Sequence, residues 1–176
     1  MPDRSRPLRR LGFLTIGLFD PADPAVGHES TLSLIELGEE LGLDSAWLRH
    51  RHLQFGISSP IAVMAAASQR TSRIELGTAV IPLRFENAGR LAEDLATAHL
   101  LTGGRLRAGL APGYSAHDAI YARAFGALHG DHRDHVDRIL HDLLSFLDGE
   151  IVAGADAHIE EVEKAGGMAK AIEAGI

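Results

Sequence analysis

Short apolar segments alternate with amphipathic ones four times within the first 115 residues, and this alternation restricts the fold more than any other feature of the chain. The apolar segments are Leu11–Gly17, Asp44–Leu48, Ile74–Ile81 and Arg105–Leu110, each with the length and turn-bounded character of a buried strand. After the first of them, Phe19–Pro24 contains two prolines and two aspartates and reads as a loop. Ser30–Leu41 then carries apolar residues at 32, 34, 35, 37 and 41, the spacing of a helix that starts near Glu29 or Ser30 and stops at Gly42. Ser59 and Pro60 open a second helix as cap and first-turn proline, and Ile61–Gln69 continues it. Arg90–Leu101 is a third, closed by Gly103 and Gly104. The last, Asp131–Leu147, places Val136, Ile139, Leu140, Leu143, Leu144 and Leu147 on one stripe.

Strands alternating with helices predict βαβ units, and hence an α/β fold with a parallel sheet. No GxGxxG follows the first strand and no GxxxxGK[ST] occurs anywhere, which favours parallel (β/α) barrel units over a nucleotide-binding open sheet. The 176 residues are about two-thirds of what a complete eight-unit barrel typically needs. The expectation is therefore the N-terminal half of a TIM-type barrel. Four strands leave two open edges and an uncovered interior face, so a homo-oligomer is expected. Ligands of parallel sheets bind beyond the carboxyl ends of the strands. That rule singles out residues 15–20, 49–56, 79–86 and 111–117.

Composition narrows the function. With no cysteine there is no disulfide framework, thiolate metal site or cysteine nucleophile. A net charge of −7 argues against a nucleic-acid partner. No apolar run approaches the ~20 residues of a membrane span, and no signal-peptide core follows the basic start, so a cytoplasmic protein is expected. Both lysines, Lys164 and Lys170, lie in the last thirteen residues, against fifteen arginines elsewhere. This shift predicts a barrel domain over 1–150 and a helical tail of different origin over 151–176. His129, His132, His135 and His141 interleave with aspartates, but their spacing matches no established ligand motif, and no metal site is predicted. Trp47 reads as a buried aromatic at a strand end in preference to a stacking platform. Glu86 and Asn87, on the ligand side of the third strand, suit either a substrate contact or a plain loop. Arg49-His50-Arg51-His52 concentrates permanent cations and groups that exchange protons near neutrality, either a functional cluster or a solvated loop.

Three stretches carry a resemblance to a known family: LGLDSAWLRHRHLQFGISSP (41–60), AAASQRTSRIELGTAVIPLRFENAGRLAEDLATAHLLTGGRLRAGLAPGY (65–114) and, more weakly, LGFLTIG at the first strand. Together they resemble the luciferase-like flavin-dependent monooxygenases over residues 8–114, and more weakly to about 150. The resemblance implies a flavin-dependent oxidoreductase that uses reduced flavin and O2 on a small organic substrate. FMN is the expected cofactor and a deazaflavin the alternative. A catalytically incompetent half barrel serving as a dimerisation or assembly module is the rival reading. The family often has paired histidines after the second strand; they align with Arg51 and His52, so only the second is kept, and His50 stands one position earlier. His52, Arg51 and His50 are thus the catalytic candidates, and Thr15, Ala79, Val80 and Gly109 the cofactor-binding ones. Some luciferases have an arginine where this chain has Pro112. A second, shorter resemblance, over 159–176, is to the barrel domain of methylmalonyl-CoA mutases.

Overall fold

The computed structural model describes residues 9–113 and 118–149. The tail from 151, with its mutase-like segment, lies outside the described residues. Four parallel strands form the main sheet in the order β1 (Gly12–Thr15), β2 (Ser45–Leu48), β3 (Glu75–Thr78) and β5 (Leu106–Arg107). Past its carboxyl end, β4 (Ile81–Pro82) and β6 (Leu110–Ala111) make a second parallel pair. The helices are α1 (Pro24–Glu40), α2 (Pro60–Ser68), α3 (Ala88–Leu101), α4 (Asp118–Phe125) and α5 (His132–Leu147), with a 3-10 turn at Leu83–Phe85. Helix α1 packs on α2, α2 on α3, and α3 on α5. Among the described residues, no helix is long and apolar enough to cross a membrane.

Side chains alternate across the strands, and the two faces differ sharply. Ala46, Leu48, Leu76 and Leu106 point under the helices into a core with Ile35, Met64, Leu91, Leu95, Val136, Ile139 and Leu143. On the opposite, concave face, Leu14, Trp47, Gly77 and Arg107 share one register row. There Leu14 is 54% exposed, and Leu11 beyond the strand's start is 55% exposed. Trp47 lies across the row: a Cβ at Gly77 would stand 2.4 Å from its ring, so only glycine fits. Nearer the floor, Glu75 pairs with both Arg10 and Arg107.

The structure corrects the expected boundaries at several points. Helix α1 starts at Pro24, not near Ser30, because Asp23 caps it by accepting the Val26 N–H and proline suits a first turn. Asn87, read as loop or substrate contact, caps α3 through the Arg90 N–H, so that helix begins at Ala88. Ser59 stands at the start of α2, but its side chain makes no cap bond. The third and fourth strands, expected to be continuous, both break: the third at Ala79 and Val80, joined by a cis peptide, and the fourth at Ala108 and Gly109. The Thr78 hydroxyl holds the two breaks together. Its oxygen accepts the Gly109 N–H (2.8 Å) and donates to the Gly109 carbonyl (2.9 Å). A Cβ at residue 109 would fall 2.3 Å from the Thr78 carbonyl oxygen, so glycine alone permits this approach. Trp47, expected to be buried, is half-buried on the open face.

Two polar clamps hold the layers in register. The Arg105 guanidinium donates to the carbonyls of Ser68, Thr71, Ile74 and to the Thr71 hydroxyl, tying α2 to β3 and β5. The Gly103-Gly104-Arg105 run is thus both the stop of α3 and a structural junction. Glu39, at the end of α1, accepts the backbone N–H groups of Ser72, Arg73 and Ile74 at 2.7–2.8 Å. Burial alone would raise its pKa; the three N–H donors and the Ser72 hydroxyl outweigh burial and hold it down at about 2. A carboxylate whose folded pKa lies below its unfolded value binds fewer protons when folded. Its contribution is complete above about pH 4.5 and is lost as pH falls toward 2. Glu39→Ala is expected to lower stability by about 1–2 kcal/mol at pH 7, since water reaches the freed N–H groups, and to lose that difference near pH 2. Urea unfolding at the two pH values checks it.

Candidate functional site

The loop after β2 begins where Arg49 N–H donates to the Thr15 carbonyl (3.0 Å), and Arg51 N–H, donating to the Ile57 carbonyl (2.8 Å), closes it. This short-circuited loop turns His50, Arg51 and His52 toward the break after β3, where Ala79 N–H is anchored on the Leu48 carbonyl (2.7 Å). The result is a cavity of about 610 Å³ at the carboxyl ends of the strands. Its walls include Leu14, His50, Arg51, His52, Ala79, Val80, Phe85 and Tyr121. The loop after β2 and the bend after β3 therefore share one hollow, as the barrel reading requires.

Aromatic packing fixes the second imidazole. His52 lies 4.4 Å from the Phe125 ring and 5.5 Å from that of Phe85, and its carbonyl accepts the Tyr121 hydroxyl (3.1 Å). Tyr121 and Phe125 come from α4, which the sequence reading did not foresee. Their i, i+4 spacing, Y-x-x-x-F, is the signal that marks one helix face. Leu14, not Thr15, carries β1 to the cavity wall, because Thr15 shares a register row with buried Leu48. The Thr15 hydroxyl accepts the Gly17 N–H (3.1 Å). Gly109 stands beneath the rim against Thr78 and not on the wall.

The His50 and His52 rings lie 4.1 Å apart between centroids, tilted by 48°, and Glu86 follows them across a gap. The carboxylate oxygen of Glu86 lies 3.7 Å from His52 Nε2 and 4.0 Å from His50 Nδ1, both too long for hydrogen bonds. Side-chain exposures are 7% for His50, 12% for His52 and 19% for Glu86. Nε2 of His52 and Nδ1 of His50, the nitrogens nearest Glu86, are buried without a well-formed hydrogen bond among the described residues, while the Ser58 backbone beside the His50 ring favours its protonated form. Burial, aided by the neighbouring His52, pushes the His50 pKa down to about 4 despite the opposing Glu86 carboxylate. The imidazole is neutral at pH 7. The α5 histidines behave differently. His132 Nε2 contacts the Gly113 carbonyl at 2.9 Å, and His135 contacts the Arg84 carbonyl and the His129 N–H. These rings brace α5 against the rim, while His141 stands exposed.

Residues 11–163 match the family described as luciferase-like monooxygenase, a span that crosses the compositional shift near residue 150. Limonene 1,2-monooxygenase of Rhodococcus erythropolis is 38% identical over 91 residues, covering 50% of this chain and 23% of that protein. F420-dependent glucose-6-phosphate dehydrogenase of Amycolatopsis mediterranei is 37% identical over 81 residues, covering 43% and 24% respectively. The chain thus spans about a quarter of the length of these relatives. Among solved structures, the oxygenating constituent of 3,6-diketocamphane monooxygenase from Pseudomonas putida, in complex with FMN, superposes with a TM-score of 0.66. At 18% identity it shares the fold, covering 76% of this chain and 38% of its own.

The His50 environment has a direct readout. Its ring resonances are expected to keep their neutral positions from pH 8 down to about pH 5. Between about pH 6.5 and 4 the unfolded chain binds a proton that the folded one refuses, so stability falls as pH drops through that window. Imidazole NMR against pH, on protein treated with chelator, checks both.

Proposed function

The chain belongs to the luciferase-like monooxygenase family, and on that premise we propose that its cavity holds the ring system of a reduced flavin, FMN, for oxygenation of a small organic substrate. The observation that carries this reading is the single hollow shared by His50, Arg51 and His52 with Ala79 and Val80. Its volume, about 610 Å³, falls within the range of small-molecule sites. Its floor is apolar at Leu14 and Val80, with small Ala79 at the bend, which suits a flat aromatic ring laid against backbone. When bound, a reduced flavin supplies the electron pair and the centre at which O2 reacts. The protein supplies the surroundings. Arg51, its guanidinium held by the Gln54 side chain (3.2 Å), places a permanent positive charge on the wall. His52, with a free Nε2, holds or releases a proton beside it, and His50 stays neutral behind it. Phe85 and Tyr121 exclude water from that side. Thr15 and Gly109 serve the cofactor indirectly, by setting the backbone from which Leu14 and the bend project.

Titrating FMN, oxidised and reduced, against the chain and following Trp47 fluorescence tests the binding. Saturable binding is expected, weakened at least about tenfold by Val80→Trp. His52→Ala is expected to lower oxygenation about 10²–10⁴-fold, as loss of a general acid or base does, with FMN affinity changed little. Failure to bind FMN overturns the reading. Saturable binding of F420 in its place favours the deazaflavin alternative, which the F420-dependent relative supports.

Self-association accompanies this reading. The exposed Leu11 and Leu14 of the concave face, and the open edges β1 and β5 among the described residues, support coverage by a second copy. Light scattering is expected to give a multiple of 18.8 kDa. A stable monomer at high concentration contradicts it.

A further inference from the structure

We infer that His50, His52 and Glu86 form a binding site for one divalent first-row transition ion, of which Zn2+ is the convenient probe. One donor atom from each of the three lies within 4.8 Å of the others. A tetrahedral ion with bonds of about 2.1 Å holds its donors roughly 3.4 Å apart. The Glu86 oxygen is already 3.7 and 4.0 Å from the two imidazole nitrogens, so small side-chain rotations close the triangle. Two imidazoles and a carboxylate are a donor set suited to zinc or non-haem iron.

The burial pattern makes the argument independent of spacing. His50 is more than nine-tenths buried, and its Nδ1, like Nε2 of the slightly more open His52, faces Glu86 without a well-formed hydrogen bond among the described residues; the Ser58 backbone beside the His50 ring can hold its orientation. Buried polar atoms in native proteins nearly always have a partner, and here one nitrogen from each imidazole lies near the same Glu86 oxygen without bonding to it. An ordinary histidine–carboxylate hydrogen bond does not account for them, because both gaps exceed its reach. The other buried histidine, His135, has its nitrogens engaged by backbone groups and offers no such set. The donors converge from two sides: the histidines from the cavity at the strand ends, and Glu86 from an adjoining one of similar size lined also by Phe85 and Phe125. Three protein donors leave at least one coordination position for water or another oxygen ligand, and an ion held there occupies the His52 Nε2 that proton transfer to a flavin would use, so the two uses exclude one another. The sequence reading assigned no metal. Glu86 lies 34 positions after His52, and the turn at Leu83–Phe85 brings them together.

The test uses flavin-free chain, so its outcome is separate from that of the flavin reading. Equilibrium dialysis with Zn2+ is expected to give one ion per chain. Affinity should fall at least about tenfold in His50→Gln and in Glu86→Gln, and stay unchanged in His141→Gln. Co2+ added to the unaltered protein should shift and broaden the imidazole resonances of His50 and His52 before any others, a readout that needs no variant to fold. Absence of saturable binding overturns the proposal. So does binding that is indifferent to His50→Gln and Glu86→Gln, or Co2+ effects centred on other histidines.

Discussion

One hydroxyl group carries the geometry on which the site depends. Thr78 Oγ1 bonds both to the N–H and to the carbonyl of Gly109, at the level where β3 and β5 stop pairing. Neither strand continues straight, and β4 and β6 resume as a separate pair, with Ile81 N–H on the Gly109 carbonyl. The bend exposes Val80 and leaves Ala79 facing the loop after β2. Everything on the rim is placed relative to that step. The helices beneath need only keep β2 and β3 in register, which the Glu39 and Arg105 clamps do from the opposite end.

The sequence made the architecture legible because the core is periodic. Ala46, Leu48, Leu76 and the stripe of α5 announce strands and helix by spacing alone, and the glycine pair after α3 marks a real terminus. What escaped the sequence reading is set by single polar contacts that leave no period. Asp23 and Asn87 each extend a helix by capping it, and each looks like a loop residue in isolation. The break in the third strand is silent for a related reason: Ile74–Ile81 is apolar throughout, and a run of that kind does not say where its hydrogen bonds change partner. Helix α4 is short and follows glycine and proline, so it carries little pattern beyond Tyr121 and Phe125.

The site was legible in its cations and imidazoles but not in its carboxylate. The positions after β2 and β3 meet in one cavity, as parallel-sheet geometry demands. Leu14 displaces Thr15 from the wall by simple alternation, a fact available from the pleat once the strand's start is known. Glu86 could not be assigned from sequence. Its distance from the histidines depends on a three-residue turn and on α3 being capped one residue later.

The charged floor of the concave face has a consequence of its own. Glu75 is gripped by two guanidinium groups, from Arg10 and Arg107, and answers only one of them. Whatever lies over that end of the sheet meets a surplus positive charge inside an otherwise greasy bowl. A purely oily lid is the wrong complement for it; the matching surface carries an acid at its tip, or brings water along.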